Sequence, residues 1–111
     1  MDQINEFLKN NYSGHAVKGL YGPWEIPEVT KRIVCNDGFS ISVQANTFSY
    51  CIPHDNKAWP YSKVELGFPS AIDDLIEDFS DEPGTTETVY PYVPIEIVNQ
   101  LIEKHGGIAN N

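Results

Sequence analysis

The chain has 111 residues, 41% of them hydrophobic and 12% aromatic, with 16 Asp and Glu against 7 Lys and Arg for a formal net charge of −9. That length supports one buried core and not two, the apolar content is that of a folded domain, and the charge turns away nucleic acid and anionic membrane while drawing in cationic partners. No apolar run approaches the roughly 18 residues of a bilayer span, and the opening Met1-Asp2-Gln3-Ile4-Asn5-Glu6 lacks the basic and apolar regions of a signal peptide, so a cytoplasmic protein is expected.

Residues 2–11 place Ile4, Phe7 and Leu8 on one helical face, with Asp2 as the cap and Gly14 as the stop. Between Tyr12 and Glu28, three glycines and two prolines break every long element. That stretch is expected to be a loop that plugs the core with Trp24. Thr30 to Cys35 reads as a strand, Asn36-Asp37-Gly38 as a turn, and Phe39 to Gln44 as a second strand alternating apolar with polar residues. Thr47 to Ile52 continues as a third strand ended by Pro53, and Ser62 to Phe68 alternates again as a fourth.

Ser70, with Asp73 three residues on, has the pattern of a capping box, and Ile72, Leu75, Ile76 and Phe79 follow at helical spacing. A helix is therefore expected with an apolar face inward and Asp73, Asp74, Glu77 and Asp78 outward. The loop after it adds Asp81, Glu82 and Glu87, and Thr88-Val89-Tyr90 is a short strand broken by Pro91. A final helix starts at Pro94, buries Ile95, Val98, Leu101 and Ile102, matches its dipole with Glu96 at one end and Lys104 and His105 at the other, and stops at Gly106-Gly107. The whole reads as an α+β single domain over 1–111, an antiparallel sheet of about four strands with helices on one face. Its sections are an N-terminal helix and irregular segment (1–29), a β-meander (30–68), and an acidic helix, loop and C-terminal helix (69–111).

The charge is unevenly spread. Six acids balance six bases in the first 63 residues, whereas Val64 to Glu103 holds ten carboxylates and no Lys or Arg. Paired carboxylates in a cleft could do acid-base chemistry, but these lie on a solvated helix face, and no calcium-loop spacing accompanies them. Cys35 and Cys51 form no CxxC, and His15, His54 and His105 form no HxxxH, so neither a metal site nor a cofactor is expected. The two cysteines read as buried thiols, with a disulfide left open if their strands adjoin. Catalytic residues are not expected: no nucleophile elbow or phosphate loop is present, and Cys51 beside His54 has no helix terminus to activate it. A second grouping of Arg32, Tyr50, His54, Trp59 and Tyr61 combines aromatic side chains on a proline-stiffened loop with a cation, a set that suits stacking of a nucleotide-like ligand.

The segments Asp37-Gly38-Phe39-Ser40-Ile41-Ser42-Val43-Gln44-Ala45, Val64 to Ser70, Val89-Tyr90-Pro91-Tyr92-Val93-Pro94 and His105-Gly106-Gly107-Ile108 resemble a group of short phage- and prophage-encoded accessory proteins. The likeness covers about residues 30 to 108 and implies a context, since such proteins often act against bacterial defences, CRISPR effectors among them. Together with the charge, it implies a non-catalytic inhibitor in the host cytoplasm. Asp73, Asp74, Glu77, Asp78, Asp81 and Glu82 would occupy a basic nucleic-acid-binding site of a defence complex, with no direct nucleic-acid binding by the chain itself. Two alternatives stand beside it: a sponge for a defence-signalling nucleotide, built as a homo-oligomer, and a small structural or regulatory phage protein.

Overall fold

In the computed structural model, which describes residues 1–110, the first eight-residue helix, α1 (Gln3–Asn10), begins where Asp2 accepts the Ile4 and Asn5 N–H groups. It ends at Asn11, whose N–H is bonded to Phe7, so Gly14 is free to enter a strand. Ile4 and Leu8 are buried and Phe7 packs beside them. Asn5 is buried too, because its amide accepts the Tyr61 N–H and donates to the Tyr61 carbonyl, fixing the helix to the chain ahead of the sheet.

The expected loop with a core plug is instead a hairpin, β1 (Gly14–Gly19) and β2 (Gly22–Pro27), joined at Leu20-Tyr21. Trp24 is 54% exposed and lies across Gly19, where an added Cβ would fall 2.0 Å from the indole nitrogen. A side chain at that position would require the Trp24 ring to move aside.

The main sheet is antiparallel in the order β3 (Ile33–Val34), β4 (Ser40–Gln44), β5 (Lys63–Gly67), β6 (Val89–Pro94). Alternation in β4 and β5 sends Ile41, Val43, Val64 and Leu66 into the core, where they meet Ile4 and Leu8 of α1 and Val98, Leu101 and Ile102 of the last helix, α2 (Ile95–Lys104). The α+β architecture follows, with both helices on the apolar face of a four-stranded sheet. Among the described residues, no helix is long and apolar enough to cross a membrane. Cys35 and Cys51 are buried free thiols.

Four element boundaries differ from the sequence reading. Thr30 is not in a strand; the Gln44 side-chain amide takes the place of a strand neighbour, donating to the Thr30 carbonyl and accepting its N–H at 2.9 Å each. Thr47 to Ile52 turns rather than extends, because the Asn46 carboxamide oxygen accepts from Phe48 N–H and Ser49 Oγ, and Ile52 alone bridges to Lys63. Pro91 does not end β6, since the ladder shifts register opposite Glu65, the position facing the proline. Finally, residues 70–79 form turns with one 3-10 segment, Glu77–Phe79, in place of the acidic helix.

Past α2, Gly106 and Gly107 adopt φ of 90° and 83°, and the Gly107 N–H returns to Ile102, which turns the chain back. The tail then runs along β3, with Asn36 N–H bonded to the Gly107 carbonyl and Ala109 N–H to Val34. This return places His105 over the β3–β4 turn. Removing core volume in the sheet should be far more damaging than removing the exposed indole: Leu66→Ala should lose about 2–5 kcal/mol. Trp24→Ala should stay within about 0.5 kcal/mol of the parent, both measured by denaturant unfolding in dilute solution.

Candidate functional site

The acidic segment between β5 and β6 fails to form a helix for three reasons rooted in its residues. Asp73 Oδ1 accepts the Leu75 N–H two positions on, a local bond that competes with helical pairing. The four carboxylates Asp73, Asp74, Glu77 and Asp78 crowd adjacent turns with no Lys or Arg at helical spacing to offset them. The strongest cause is distant in sequence: Asp73 is drawn inward, to 5% exposure, by Lys104 and His105 at the end of α2.

His105 is held between two carboxylates. Its Nδ1 lies 2.6 Å from Asp37 and its Nε2 2.9 Å from Asp73, while its ring stacks on Phe39 at 4.0 Å between centroids. Lys104 Nζ sits 3.0 Å from both Asp73 oxygens. Since ionised carboxylates can only accept, the imidazolium, with an N–H at each nitrogen, is the form that satisfies both. Burial works against that charge, but the hydrogen bonds and charges of Asp37 and Asp73 outweigh it and raise the His105 pKa above its ordinary 6.5. For Asp73, burial alone would raise the pKa; the Leu75 N–H, His105 and Lys104 outweigh it and hold the carboxyl below 3.8. The Phe39 N–H, and then His105, hold Asp37 low in the same way.

With Asp73 as an inward anchor, the rest of the loop is staked along its length. Ser70 exchanges bonds with the Ser40 backbone at 2.8 and 2.9 Å, Ile76 is fully buried, the Gly84 N–H donates to Glu77 Oε2, and the Asp81 N–H donates to the Val89 carbonyl. Asp74, Asp78, Asp81, Glu82 and Glu87 are exposed and Glu77 is half-buried. Among the described residues, no ion pair reaches any of these six; the pairs present are Glu25 with Lys57, Asp73 with Lys104, and His105 with Asp37 and Asp73. Two apolar side chains open to solvent in the same stretch, Phe68 at 52% and Ile72 at 48% exposure. Phe68 has φ of 51°, a conformation that disfavours bulky residues, and is held in it by Arg32 Nη2 on its carbonyl at 2.6 Å and by its own N–H on Thr88.

The expected surface set is thereby corrected at two positions: Asp73 is an internal clamp and Glu77 is half-buried, with Oε2 on the Gly84 N–H and Oε1 buried, while four of the six (Asp74, Asp78, Asp81, Glu82) are exposed on the loop. The aromatic set is dispersed. Tyr61 is a core residue whose hydroxyl donates to the Asp55 carbonyl at 2.6 Å; Trp59 is half-buried with Tyr12 edge-on at 5.7 Å; Arg32 is committed to Phe68 and Ser40. Arg32, Tyr50, which lies beside Tyr92, and His54 are exposed, but Arg32 spends its guanidinium on the Phe68 carbonyl and Ser40. Sequence alone casts Lys104 and His105 as dipole partners of α2 and Asp37 as a turn residue. Their joint role was legible only in the His-Gly-Gly return that folds the helix end onto the Asn-Asp-Gly turn. Among the described residues, no group of three or more His, Cys, Asp or Glu side chains is arranged to hold a metal ion, and no ligand-sized cavity is present.

The clamp makes stability depend on pH at both ends. A raised His105 contributes fully below 6.5 and is lost as pH climbs through its folded pKa; lowered Asp37 and Asp73 contribute above 3.8 and are lost as pH falls through theirs. Denaturant unfolding across pH should therefore show a plateau between these limits, and the alkaline decline above 6.5 should flatten in His105→Gln, whose stability is lower on the plateau. An unchanged alkaline limb in that variant would remove His105 as its source.

Comparison of the chain with protein-family models, with curated proteins and with solved structures gives no match.

Proposed function

We propose that this chain is a non-catalytic interaction protein that inhibits a basic partner by covering it with the acidic loop between β5 and β6. On the resemblance to phage accessory proteins, the partner is a nucleic-acid-binding complex of bacterial defence, met in the host cytoplasm. The observation that carries the reading is the state of the loop: its outward carboxylates have no internal cation, yet its backbone is tied down at Ser70, Asp73, Ile76, Glu77 and Asp81. A fixed, unneutralised row of charge loses little conformational entropy on binding and steers a basic surface toward itself. Exposed Phe68 and Ile72 within that row supply the apolar anchors that solubilising acidity alone would not need.

Occupying such a site in place of nucleic acid requires charge complementarity rather than chemistry, so no residue is assigned a catalytic role. Association driven this way is fast at low salt and weakens as salt screens it, over a Debye length of about 10 Å at 0.1 M. The nucleotide-sponge alternative has less support, because Tyr61, Trp59 and Arg32 are engaged elsewhere.

The reading is tested by affinity capture from host lysate with the parent chain and with a variant joining Asp74→Asn, Asp78→Asn, Asp81→Asn and Glu82→Gln. These four are exposed and outside the clamp, so the melting temperature should hold or rise. The parent should retain a nucleic-acid-binding protein that is released by added salt and by competing nucleic acid, and the variant should lose at least about tenfold in affinity, or about 1.4 kcal/mol. Capture unaffected by neutralisation would refute the acidic face.

A further inference from the structure

We infer that two copies of this chain associate through the β1–β2 arm, with β1 pairing antiparallel to β1 about a two-fold axis. The arm is a sheet of its own: among the described residues, each strand pairs only with the other. A lone two-stranded ribbon is marginal in water, and this one is tied to the rest near Glu25, through the Lys57 ion pair at 2.6 Å and the Asn56 amide on the Glu25 carbonyl.

The two edges of the arm are not equivalent. Pro23 and Pro27 pair with Lys18 and Gly14. Having no N–H, they cannot donate across to β1, so the internal ladder runs through Gly22, Trp24 and Ile26. The bond from Glu28 N–H to the Ser13 carbonyl continues that same alternation. It follows that Pro23, Glu25 and Pro27 face the outer edge of β2, where two of three donors are missing. Such prolines blunt an edge against pairing. On β1 the outward residues are Gly14, Ala16 and Lys18, whose N–H and C=O groups have no partner among the described residues. One edge is closed and the other is open.

The faces are divided as well. Val17, Trp24 and Ile26 share one face with His15 and Gly19, while Ala16, Lys18, Pro23 and Glu25 share the other. Antiparallel β1–β1 pairing makes the two apolar faces continuous and sets each tip, Leu20 at 90% and Tyr21 at 87% exposure, beside the partner's arm base. Tyr21 and Trp24 alone expose about 300 Å² on a scale of 150–250 Å² per aromatic side chain.

Charge selects a second copy as the occupant. At −9 each, two chains repel, yet β1 and the Leu20-Tyr21 tip contain no carboxylate, and the arm's one acid, Glu25, lies on β2 paired with Lys57. The arm is thus a stretch where copies can meet without setting acid against acid, and an isologous contact needs only one self-complementary strand. This assembly does not depend on the acidic-loop reading and has the opposite response to salt: screening the repulsion between copies tightens it.

The test is light-scattering mass of the full chain across micromolar concentrations at low and high salt, with amide hydrogen exchange at Ala16 and Lys18. A mass rising to twice 12.5 kDa, more completely at high salt, with slow exchange at both amides, is the expected result. Ala16→Pro, which removes an outward N–H that the arm itself does not use, should restore monomer mass with the melting temperature of the dilute chain retained. Monomer at every concentration would overturn the inference, and so would a dimer that survives Ala16→Pro or leaves those amides in fast exchange.

Discussion

The arrangement of the second half of this chain depends on the burial of one carboxylate. Asp73 lies within a stretch whose apolar spacing suits a helix, yet it points inward to Lys104 and His105, and its backbone neighbours are bent into turns around it. The same contact secures the end of α2, because His105 is stacked on Phe39 and bonded to Asp37 on the β3–β4 turn. One cluster of charges therefore joins a loop, a helix terminus and a hairpin turn. A buried carboxylate without those partners would be strongly unfavourable; with two cations and an N–H it becomes an anchor.

That anchor bears on the proposed function. With Asp73, Lys104 and His105 paired in the clamp, Asp74, Asp78, Asp81, Glu82 and Glu87 are exposed, and among the described residues no ion pair reaches them. A floppy acidic tail could also attract a basic protein, but it would have to be ordered on contact. Here the ordering is done during folding, by Ile76, Ser70 and Glu77. The arm offers a second surface of different chemistry, with Leu20, Tyr21 and Trp24 exposed on it, so the two proposals place attraction to a basic partner and contact between copies on separate parts of the chain.

Much of the frame was legible from sequence because its signals are local. Asp2 as a cap, Asn36-Asp37-Gly38 as a turn, the alternation of Ile41, Val43, Val64 and Leu66, and Gly106-Gly107 beyond the last helix each follow from one residue's conformational preference or from period two. The errors share a cause too: each is a side chain substituting for backbone or a tertiary contact overriding spacing. Gln44 stands in for a strand at Thr30, Asn46 bends the stretch expected to be a third strand, and Asp73 unmakes a helix. The arm was hidden because Gly19, Gly22, Pro23 and Pro27 read as breakers; only the register reveals that the prolines lie where a strand tolerates them. The acidic surface was visible as composition, but which of its members faced inward was not, since that is decided by residues about thirty positions away.

A charged imidazole at His105, bonded to Asp37 and Asp73, is what fixes the acidic loop. The most direct measurement is a nuclear magnetic resonance titration of the His105 ring nitrogens, recorded together with the backbone amides of Ser70, Leu75 and Gly84. The account requires a His105 pKa above 6.5, both ring nitrogens protonated below it, and a shift of the Leu75 and Ser70 amides at the same midpoint. Titration at or below 6.5, or loop amides indifferent to it, would contradict the account.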